Sequence, residues 1–529
     1  MTGPFSRRAV LAGLAASVPG VAMWRQARAD EPKSLVGVVE EDPPLFNPAI
    51  TSVISSFVIG SPVYSALTRM DVKGNVSGDL AEHWEISPDG LTYTFHLRKN
   101  VLWHDGKPFS AADVKFSLGE ANSKLHPYRA PFRFVKSFEA PDDATFIMRL
   151  SEPQNALIKM IHNYAGCILP KHLWEGTDFL KNPHNKAPIG TGAYKFVRYD
   201  VGDRVTLAKF DKYFLPNLPA FDELVIRIIP DPSARVAAFE NNELDVMYSS
   251  AVPATQVARL AKLPGVQMKP SNVAAAAYIG YINMRRAPYS DVRVRRALAH
   301  AIDRSFIRQN VLPGMSENMV GPVAPSNPLY NKELKDYAFD PARAEQLLDE
   351  AGFKKGADGT RFEFRYLFSV NDLPAAKMGD VIARNLAAVG IKPVLTPLER
   401  GTWVTKSFTD DAFDMTVGSF ALGPDPDIGT ERLYNSNNIH EGVPFVNCSP
   451  YSNPEVDTLF DQQRVETDFA RRKTIYDRIQ ELIWADIPVF PICAYAIPGA
   501  VRGSYVTNVF EEEASTREDF VFAKPVGNG

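Results

Sequence analysis

The alternation of strand-like and helix-like segments along this chain limits how it can fold more than any other feature of the sequence. From Leu91 to Leu97, apolar and polar residues alternate with a period of two directly after a turn at Ser87–Gly90, which predicts one strand of a hairpin. Asp291 and Asp340 each precede a segment with apolar residues at helical spacing, so each predicts a helix N-cap. Strands that alternate with helices predict an α/β fold, with a parallel or mixed sheet in the second half.

Other segments follow the same two patterns. Ser110 and Asp113 have the spacing of a capping box, which predicts a helix through Val114 to Leu118. Gly352 and Gly390 are expected to end two later helices. Further strands are predicted at residues 144–150, 193–199, 204–210, 223–229, 362–368, 392–396, 413–419 and 488–493, and further helices at 375–389, 454–466 and 469–485.

Length and composition predict an ordered protein of more than one lobe. The chain has 529 residues, of which 45% are hydrophobic, more than a single compact core requires. Charged residues make up 23% of the sequence, and Gly and Pro do not gather in tracts, so a disordered chain is excluded. The formal net charge is -4 without a stripe rich in Lys and Arg, which argues against nucleic acid as a partner.

The first 29 residues have the pattern of an export signal. Arg7 and Arg8 precede an uncharged segment from Ala9 to Trp24, and Ala27-Arg28-Ala29 forms a site for a signal peptidase. The arginine pair resembles a twin-arginine signal, and no Cys near the cleavage site could accept a lipid. Removal of residues 1–29 takes away four arginines and no acid, which changes the formal net charge from -4 to -8. We therefore expect a soluble, periplasmic protein without a lipid anchor.

The cysteines are Cys167, Cys448 and Cys493, and none of their spacings is that of a Cys-x-x-Cys pair. In an oxidising compartment three cysteines form at most one disulfide, for which Cys448 with Cys493 is the better pair. The alternative is three buried thiols. In either case, stability must come from the hydrophobic core.

Sequence signatures of catalysis are missing. We find no Gly-x-Ser-x-Gly, Ser-x-x-Lys, His-Glu-x-x-His, Walker or calcium-loop pattern. Gly190-Thr191-Gly192 lacks the third glycine of a dinucleotide fingerprint and is interpreted as a turn. His83, His96 and His104 are the closest group of histidines, but their spacing is not that of metal ligands. We expect no cofactor, no metal site and no enzymatic activity; an exported enzyme is the remote alternative.

Three ordered blocks of sequence resemble a known family. The blocks are Leu80–Arg98 with His104–Phe109 and Asp113–Val114, then Pro188–Tyr194, and finally Asn283–Leu298 with Ala301–Arg304. They resemble the signatures of family 5 extracellular solute-binding proteins, which are the peptide- and nickel-type receptors of ABC importers, and they are similar to dipeptide- and oligopeptide-binding proteins in particular. The resemblance spans essentially the whole mature chain. Most of these residues are typical of turns, caps and core aromatics, so they indicate an architecture and not a solute.

The resemblance implies a two-lobed clamshell of the periplasmic binding protein type, with an extra subdomain in the first lobe (cluster C type). Residues 30–280 and 491–529 would form the first lobe and residues 281–490 the second, with the chain crossing a hinge near Tyr281 and Pro491. The lobes would close over a small-molecule solute, and the closed receptor, a monomer, would dock on a membrane permease and its ATPases. No covalent chemistry is needed for this function.

The loop after the strand predicted at 413–419 is the most informative place for the solute. The resemblance implies that peptide binders carry an acid there, about three residues before an Asp/Glu-Pro step, where it pairs with the peptide's amino terminus; some members also have an Arg before the loop. If Asp425-Pro426 is that step, Leu422 stands in place of the acid and Val417 in place of the Arg. Burying an ammonium without a counter-charge is strongly disfavoured, so peptides with a free amino terminus should bind poorly unless another acid substitutes.

Other residues are candidate ligand contacts as well. Three adjacent acids end the first strand, where relatives contact solute, and they are interpreted either as partners for a cation or hydroxyl or as a solvated turn. Four aromatic residues could stack on a sugar or a flat side chain in the cleft, or could belong to the core. The complete set of candidates is Glu40, Glu41, Asp42, Tyr128, Tyr281, Trp403, Ser419, Phe420, Leu422 and Asp425.

We therefore expect a transport receptor for a peptide or peptide-like solute. A receptor for a non-peptide solute, such as an oligosaccharide or an opine-type conjugate, is the alternative. A signalling receptor that serves no transporter is a third interpretation.

Overall fold

The computed structural model describes residues 33–51, 53–71, 74–127, 129–162, 166–270, 276–423, 425–510 and 520–526, so the predicted signal peptide and Tyr128 lie outside the described residues. The strands are β1 Ser34–Val39, β2 Thr68–Met70, β3 Val76–Gly78, β4 Ala81–Ile86, β5 Thr92–Leu97, β6 Val135–Asp142, β7 Thr145–Leu150, β8 Tyr194–Asp200, β9 Arg204–Lys209, β10 Glu223–Ile228, β11 Val246–Met247, β12 Val266–Pro270, β13 Ala276–Ile282, β14 Ser316–Glu317, β15 Phe362–Ser369, β16 Ile391–Leu398, β17 Met415–Ala421, β18 Val489–Tyr495, β19 Pro498–Arg502, β20 Val506–Thr507 and β21 Lys524–Pro525.

The α-helices are α1 Ile54–Gly60, α2 Ala111–Phe116, α3 Ser123–Leu125, α4 Lys171–Trp174, α5 Pro232–Glu240, α6 Val257–Leu260, α7 Val292–Ala301, α8 Arg304–Asn310, α9 Pro341–Glu350, α10 Leu373–Ala388, α11 Arg400–Phe408, α12 Pro426–Gly429, α13 Glu431–Tyr434, α14 Pro454–Val465 and α15 Phe469–Asp486. Short 3-10 turns lie at Ala130–Phe134, Leu157–Lys159, Pro183–Asn185, Ala254–Gln256 and Ser436–Asn438, and a π-helical segment, Ser117–Asn122, continues α2. Within the described ranges, no helix combines the length and the apolar composition needed to cross a membrane.

The helices begin at the residues that the capping patterns predict. The Asp291 carboxylate accepts a hydrogen bond from the backbone N–H of Arg293, and Asp340 accepts one from that of Arg343. Asp113 accepts from the backbone N–H of Ser110 at 2.9 Å, which completes the predicted capping box. These hydrogen bonds confirm the three predictions. Capping could be predicted from the sequence because it depends only on residues within one helical turn.

The first half of the chain builds separate sheets over its own cores. One four-stranded sheet has the order β1-β10-β9-β8, with β1 parallel to β10, and a second has the order β4-β5-β7-β6. Alternate residues of β10 (Leu224, Ile226 and Ile228) are buried, as the period of two predicts. The second sheet is the extra subdomain, and its core includes Phe95 from the predicted hairpin. A third sheet, β11-β19-β12, combines this half with the strand Pro498–Arg502 from the end of the chain.

The second half is built on one mixed sheet with the strand order β14-β18-β13-β17-β15-β16. β15 is parallel to β16 and β17, whereas β13 is antiparallel to β17 and β18. Helices α7, α9 and α10 pack on one face, and α11, α14 and α15 pack mainly on the other. This arrangement confirms the predicted α/β class with a mixed sheet in the second half.

The three cysteines are buried and no disulfide joins them, so the Cys448–Cys493 disulfide is not formed and the alternative interpretation of three buried thiols is correct. The physical reason is their placement. Cys493 belongs to the apolar core on one face of the mixed sheet, and Cys448 belongs to the core on the opposite face. A disulfide holds its two Cα atoms within about 7 Å, which residues on opposite faces of a sheet do not reach without backbone movement.

Candidate functional site

The candidate site lies at one edge of the mixed sheet, where several strands end together. β15, β16 and β17 run parallel, so their carboxyl ends meet at this edge, and the antiparallel strand β13 begins there. The loops that leave the edge start at Val370 after β15 and at Leu422 after β17. Ligands of open α/β sheets bind beyond the carboxyl ends of the strands. The predicted loop contacts are therefore at the edge where a ligand site is expected.

Four polar side chains form two hydrogen-bonded pairs at this edge, and we refer to them as the edge cluster: Tyr278, Asp372, Ser419 and Tyr495. The hydroxyl of Tyr278 donates to the Asp372 carboxylate at 3.0 Å. The hydroxyls of Ser419 and Tyr495 share a hydrogen bond of 2.5 Å, and the two tyrosine rings have centroids 4.8 Å apart. Ser419 is exposed, and Asp372 and Tyr495 are half-buried, so oxygen atoms of the cluster remain accessible.

The edge cluster can offer hydrogen bonds to a polar ligand. Burial raises the pKa of the Asp372 carboxyl above its ordinary value, and burial also raises the pKa of the Tyr278 hydroxyl, which stays protonated as a donor. Serine and tyrosine hydroxyls both donate and accept, and an ionised carboxylate accepts only. The cluster therefore suits a ligand with hydroxyl or amide groups.

Sequence reasoning found Ser419 and missed the other three members. Tyr278 lies opposite Ser419 in the register of β13 and β17, and Tyr495 lies opposite Ala276 in the register of β13 and β18. Asp372 is the N-cap of α10, where it accepts from the backbone N–H of Ala375. An Asp shortly before Leu-Pro is a readable cap signal, but the strand register that places it beside Tyr278 is not readable from sequence.

Leu422, the residue that stands where an acid is expected, lies in the core. Its side chain is 4% exposed and belongs to the same apolar cluster as Phe420 and Tyr281. The loop is held tightly, because a Cβ on Gly429 would lie 1.8 Å from the backbone carbonyl oxygen of Leu422. Val417, in the place of the Arg, is buried on the opposite face of the sheet. Both positions therefore carry apolar, buried side chains.

The candidate aromatics that the structure describes form an interior group. The ring of Tyr281 lies 5.2 Å from that of Phe420 and 5.8 Å from that of Phe408. Trp403 packs 5.4 Å from Phe408, and its indole N–H donates to the hydroxyl of Thr416 at 2.9 Å. This is the packing of core aromatics. Their contact with a ligand stays a prediction, as it does for Tyr128.

Asp425 is fully buried and bound to two cations. Its two oxygens accept from the Arg472 guanidinium at 2.6 and 2.9 Å, and the Lys159 ammonium donates to it at 3.1 Å. Burial alone would raise the pKa of the Asp425 carboxyl, but Arg472 and Lys159 hold it well below its ordinary value. Lys159 comes from the first half of the chain and Arg472 from the second. Asp425 therefore connects the two halves.

A second contact lies beside this ion pair. The side-chain amide of Asn155 donates to the backbone carbonyl oxygens of Gln463, Arg464 and Glu466 at 3.4, 3.2 and 2.5 Å. The Arg464 guanidinium also lies 5.8 Å from the ring centre of Phe134. We refer to the contacts of Asn155 and Lys159 with the second half of the chain as the latch. No signal in the sequence predicts it, since its members are far apart along the chain.

The three acids at the end of β1 each accept a hydrogen bond from a hydroxyl of the protein. Ser250 donates to Glu40 at 3.2 Å, Ser55 donates to Glu41 at 3.1 Å, and Tyr199 donates to Asp42. Glu41 and Asp42 are exposed and Glu40 is half-buried. Among the described residues, no hydrogen bond or ion pair joins these acids to Ser419, Leu422 or Asp425.

Comparison with known proteins identifies the family. Residues 75–441 match the bacterial extracellular solute-binding proteins, family 5 middle region. The chain belongs to family 5 of these proteins. This family 5 protein is also 30% identical to the glutathione-binding protein GsiB of Pectobacterium atrosepticum over 442 residues. The aligned segment covers 82% of this chain and 83% of that protein. The chain is 28% identical over 496 residues to the dipeptide-binding protein of Escherichia coli K12, with 89% and 91% covered.

Solved structures of the same fold cover almost the whole family 5 chain. DppA of Helicobacter pylori in complex with the peptide STSA has a TM-score of 0.75 at 25% identity, with 94% of this chain and 99% of that chain covered. AgaA from A. tumefaciens R10 in complex with agropinic acid has a TM-score of 0.74 at 25% identity, with 94% and 99% covered. The predicted two-lobed α/β fold of a family 5 binding protein is thereby confirmed, and these relatives are binding proteins and not enzymes.

Proposed function

We propose that this protein is the periplasmic solute-binding receptor of an ABC importer, which captures a peptide or peptide-like solute and delivers it to the membrane permease and its ATPases. The family assignment supports a receptor, and the relatives named above bind glutathione, a dipeptide and agropinic acid. We propose further that residues 1–29 are a twin-arginine signal, that the mature chain has no lipid anchor, and that it acts as a monomer. No step of this function requires covalent chemistry.

The lobes are proposed to close over the solute about a two-segment hinge. Residues 30–280 and 491–529 would move against residues 281–490. β12 pairs with β19 and β13 pairs with β18, so the chain passes twice between these two sheets. Tyr281 lies in β13 and Pro491 in β18, on neighbouring strands of the mixed sheet. We propose that the hinge lies near these two residues.

The solute class rests on one observation, the burial of Leu422 where an amine-pairing acid is expected. A free ammonium beside Leu422 would lack the counter-charge that an acid at this position supplies, which is costly in a closed cleft. The accessible oxygens of the edge cluster favour a ligand with hydroxyl or amide groups. We therefore propose an amine-blocked or otherwise neutral peptide-like solute, and the similarity to AgaA favours an opine-type conjugate as the second candidate.

The direct test is to identify the solute that the protein carries. Mass spectrometry of small molecules released by denaturing the purified mature protein should find an unchanged peptide-like compound or conjugate. A thermal-shift panel then compares a free tripeptide with the same tripeptide N-acetylated, with glutathione and with agropinic acid. We expect the acetylated peptide or the conjugate to raise the Tm more than the free tripeptide does.

A matched variant distinguishes the two ways of binding an amine. If Glu40, Glu41 and Asp42 have replaced the missing acid, changing them to Gln, Gln and Asn should abolish binding of free tripeptides. If the solute is neutral, the same triple change should leave its affinity nearly unchanged. Submicromolar binding of simple tripeptides by the wild type would contradict the proposed solute class, and its loss in the triple variant would assign the amine to the three acids.

A further inference from the structure

The hairpin of β4 and β5 places two histidines side by side. His83 pairs with His96 across the two antiparallel strands. Their rings stack with centroids 4.3 Å apart and an angle of 16° between the ring planes. Their spacing along the chain does not show this proximity, because it arises from the register of the hairpin.

Glu85 adds a carboxylate on the same face. It lies two residues after His83, and side chains two apart on a strand point to the same side of the sheet. Its Oε1 is 3.8 Å from Nε2 of His96, and one ligand atom from each of the three residues lies within 4.8 Å of the other two. The alternate residues Trp84 and Phe95 pack toward the subdomain core, which leaves the three polar side chains on the outer face.

We propose that His83, Glu85 and His96 form a binding site for a divalent transition metal ion, with Zn²⁺ as the ion that fits best. Two imidazoles and one carboxylate are ligands that Zn²⁺ accepts at about 2.0 to 2.2 Å, and three protein ligands leave a fourth position for water. Imidazole pairs favour Zn²⁺ over the oxygen-preferring ions Mg²⁺ and Ca²⁺. The side chains of Glu85 and His96 are 74% and 38% exposed, so rotation about their side-chain bonds can bring the ligand atoms together.

The site is separate from the solute site. It lies on the outer strand pair of the β4-β5-β7-β6 sheet, whereas the edge cluster lies on the mixed sheet of the second half. Metal binding and solute binding can therefore be measured independently. A negative result for the metal site does not contradict the proposed function, and a negative result for the solute does not contradict the metal site.

The test is titration of the mature, tag-free protein with zinc chloride by isothermal calorimetry. The wild type should bind one equivalent, and His83→Ala and His96→Ala should each weaken that binding at least about tenfold, since loss of even an outer-shell partner of a metal ligand typically costs 10- to 100-fold. Glu85→Gln should weaken it as well. His440→Ala, at an exposed histidine elsewhere, is the matched control and should bind as the wild type does.

A second measurement works on the unmodified chain. Zn²⁺ should protect His83 and His96, but not His440, from diethyl pyrocarbonate, as read by peptide mass spectrometry. Zinc binding that persists in both alanine variants, equal modification with and without Zn²⁺, or the absence of saturable binding would overturn the proposal.

Discussion

The contact of His104 with the segment Gly190-Thr191-Gly192 connects two of the sequence blocks that resemble the family. The Nε2–H of His104 donates to the carbonyl oxygen of Gly192 at 2.9 Å, and the backbone N–H of Gly190 donates to its Nδ1 at 3.3 Å. Since one ring nitrogen must donate and the other must accept, the ring is held neutral. A Cβ on Gly190 would lie 1.9 Å from the carbonyl oxygen of Val63, so the loop requires glycine. The interpretation of Gly190-Thr191-Gly192 as a turn, and not a phosphate loop, agrees with this packing.

Acid should weaken the fold through His104. Burial lowers its pKa from 6.5 to about 4, so its contribution to stability is fully present above pH 6.5 and is lost as the pH falls toward 4. The free-energy cost of His104→Gln should therefore be largest near pH 7 and should shrink by up to about 3 kcal/mol near pH 4. Urea titrations of wild type and variant at several pH values measure it. The difference between wild type and variant at each pH removes the contribution of other titrating groups, which both proteins share. One such group is Asp245, whose pKa burial raises to about 6. A cost that does not change with pH would contradict the neutral, buried ring.

At Leu422, substitution should affect the fold before it affects selectivity. The side chain is buried in an apolar cluster, so Leu422→Ala should lower the free energy of unfolding by about 2 to 5 kcal/mol. Leu422→Asp should lower it at least as much, because it also buries a charged group. Leu422→Met keeps the volume and should cost less than about 1.5 kcal/mol. Thermal unfolding of the three variants gives the order. If the Asp variant is as stable as wild type and binds free tripeptides, the side chain faces the ligand instead.

Between secondary-structure elements, Asp425 has two kinds of partner with different roles. Arg472 on α15 and Asp425 at the start of α12 lie within the second half of the chain, whereas Lys159, in the 3-10 turn Leu157–Lys159, belongs to the first. The arginine pair is buried, so it holds the loop. The pair of Lys159 with Asp425 stabilises the contact between the two halves of the chain.

Substitutions at this junction should separate the two roles. Asp425→Asn removes the carboxylate that the buried Arg472 guanidinium hydrogen-bonds and should cost about 3 to 5 kcal/mol of stability. Lys159→Met keeps that pair, so it should change the Tm little. If the Lys159–Asp425 contact forms only when the lobes close, the variant should weaken solute binding by about 1 kcal/mol. Lys171→Met, which removes an exposed pair with Glu175, is the control. An equal loss of solute affinity in both lysine variants would contradict a role for the latch.

For the molecule as a whole, solute binding should reduce its size. If the two lobes close as rigid bodies about the proposed hinge, small-angle scattering should give a smaller radius of gyration with saturating solute than without it. Binding should also raise the Tm, since a ligand that binds only the folded state adds about 2.7 kcal/mol at a hundredfold excess over Kd. An identical radius in both states would contradict closure as the response to solute.

The first 29 residues are proposed to direct export of the whole chain. Changing Arg7 and Arg8 to Lys together should block appearance of the protein in the periplasm if the twin-arginine route is used. Fractionation of cells that express wild type and variant, with sequencing of the mature amino terminus near Asp30, measures this. Unchanged periplasmic yield would contradict the route but not the localisation.

Local signals predicted many of the longer elements of this fold. The caps at Asp291 and Asp340 and the box at Ser110 and Asp113 depend on atoms within one turn of helix, and the strand Thr92–Leu97 follows from a period of two. The two-lobed architecture was implied by the resemblance of three sequence blocks to the family, and not by local patterns. The caps, the capping box and the strand are determined by the sequence because each is a relation between residues close together in the chain.

The tertiary structure alone decided which distant residues meet. The register of β13 and β17 places Tyr278 beside Ser419, and packing buries Leu422 and brings Lys159 to Asp425. The same is true of the two histidines of the β4–β5 hairpin. A slip of one residue in one of these strands would turn its side chains to the other face of the sheet. Strand register and the packing of loops depend on the fit of whole sheets and cores, which no short segment encodes.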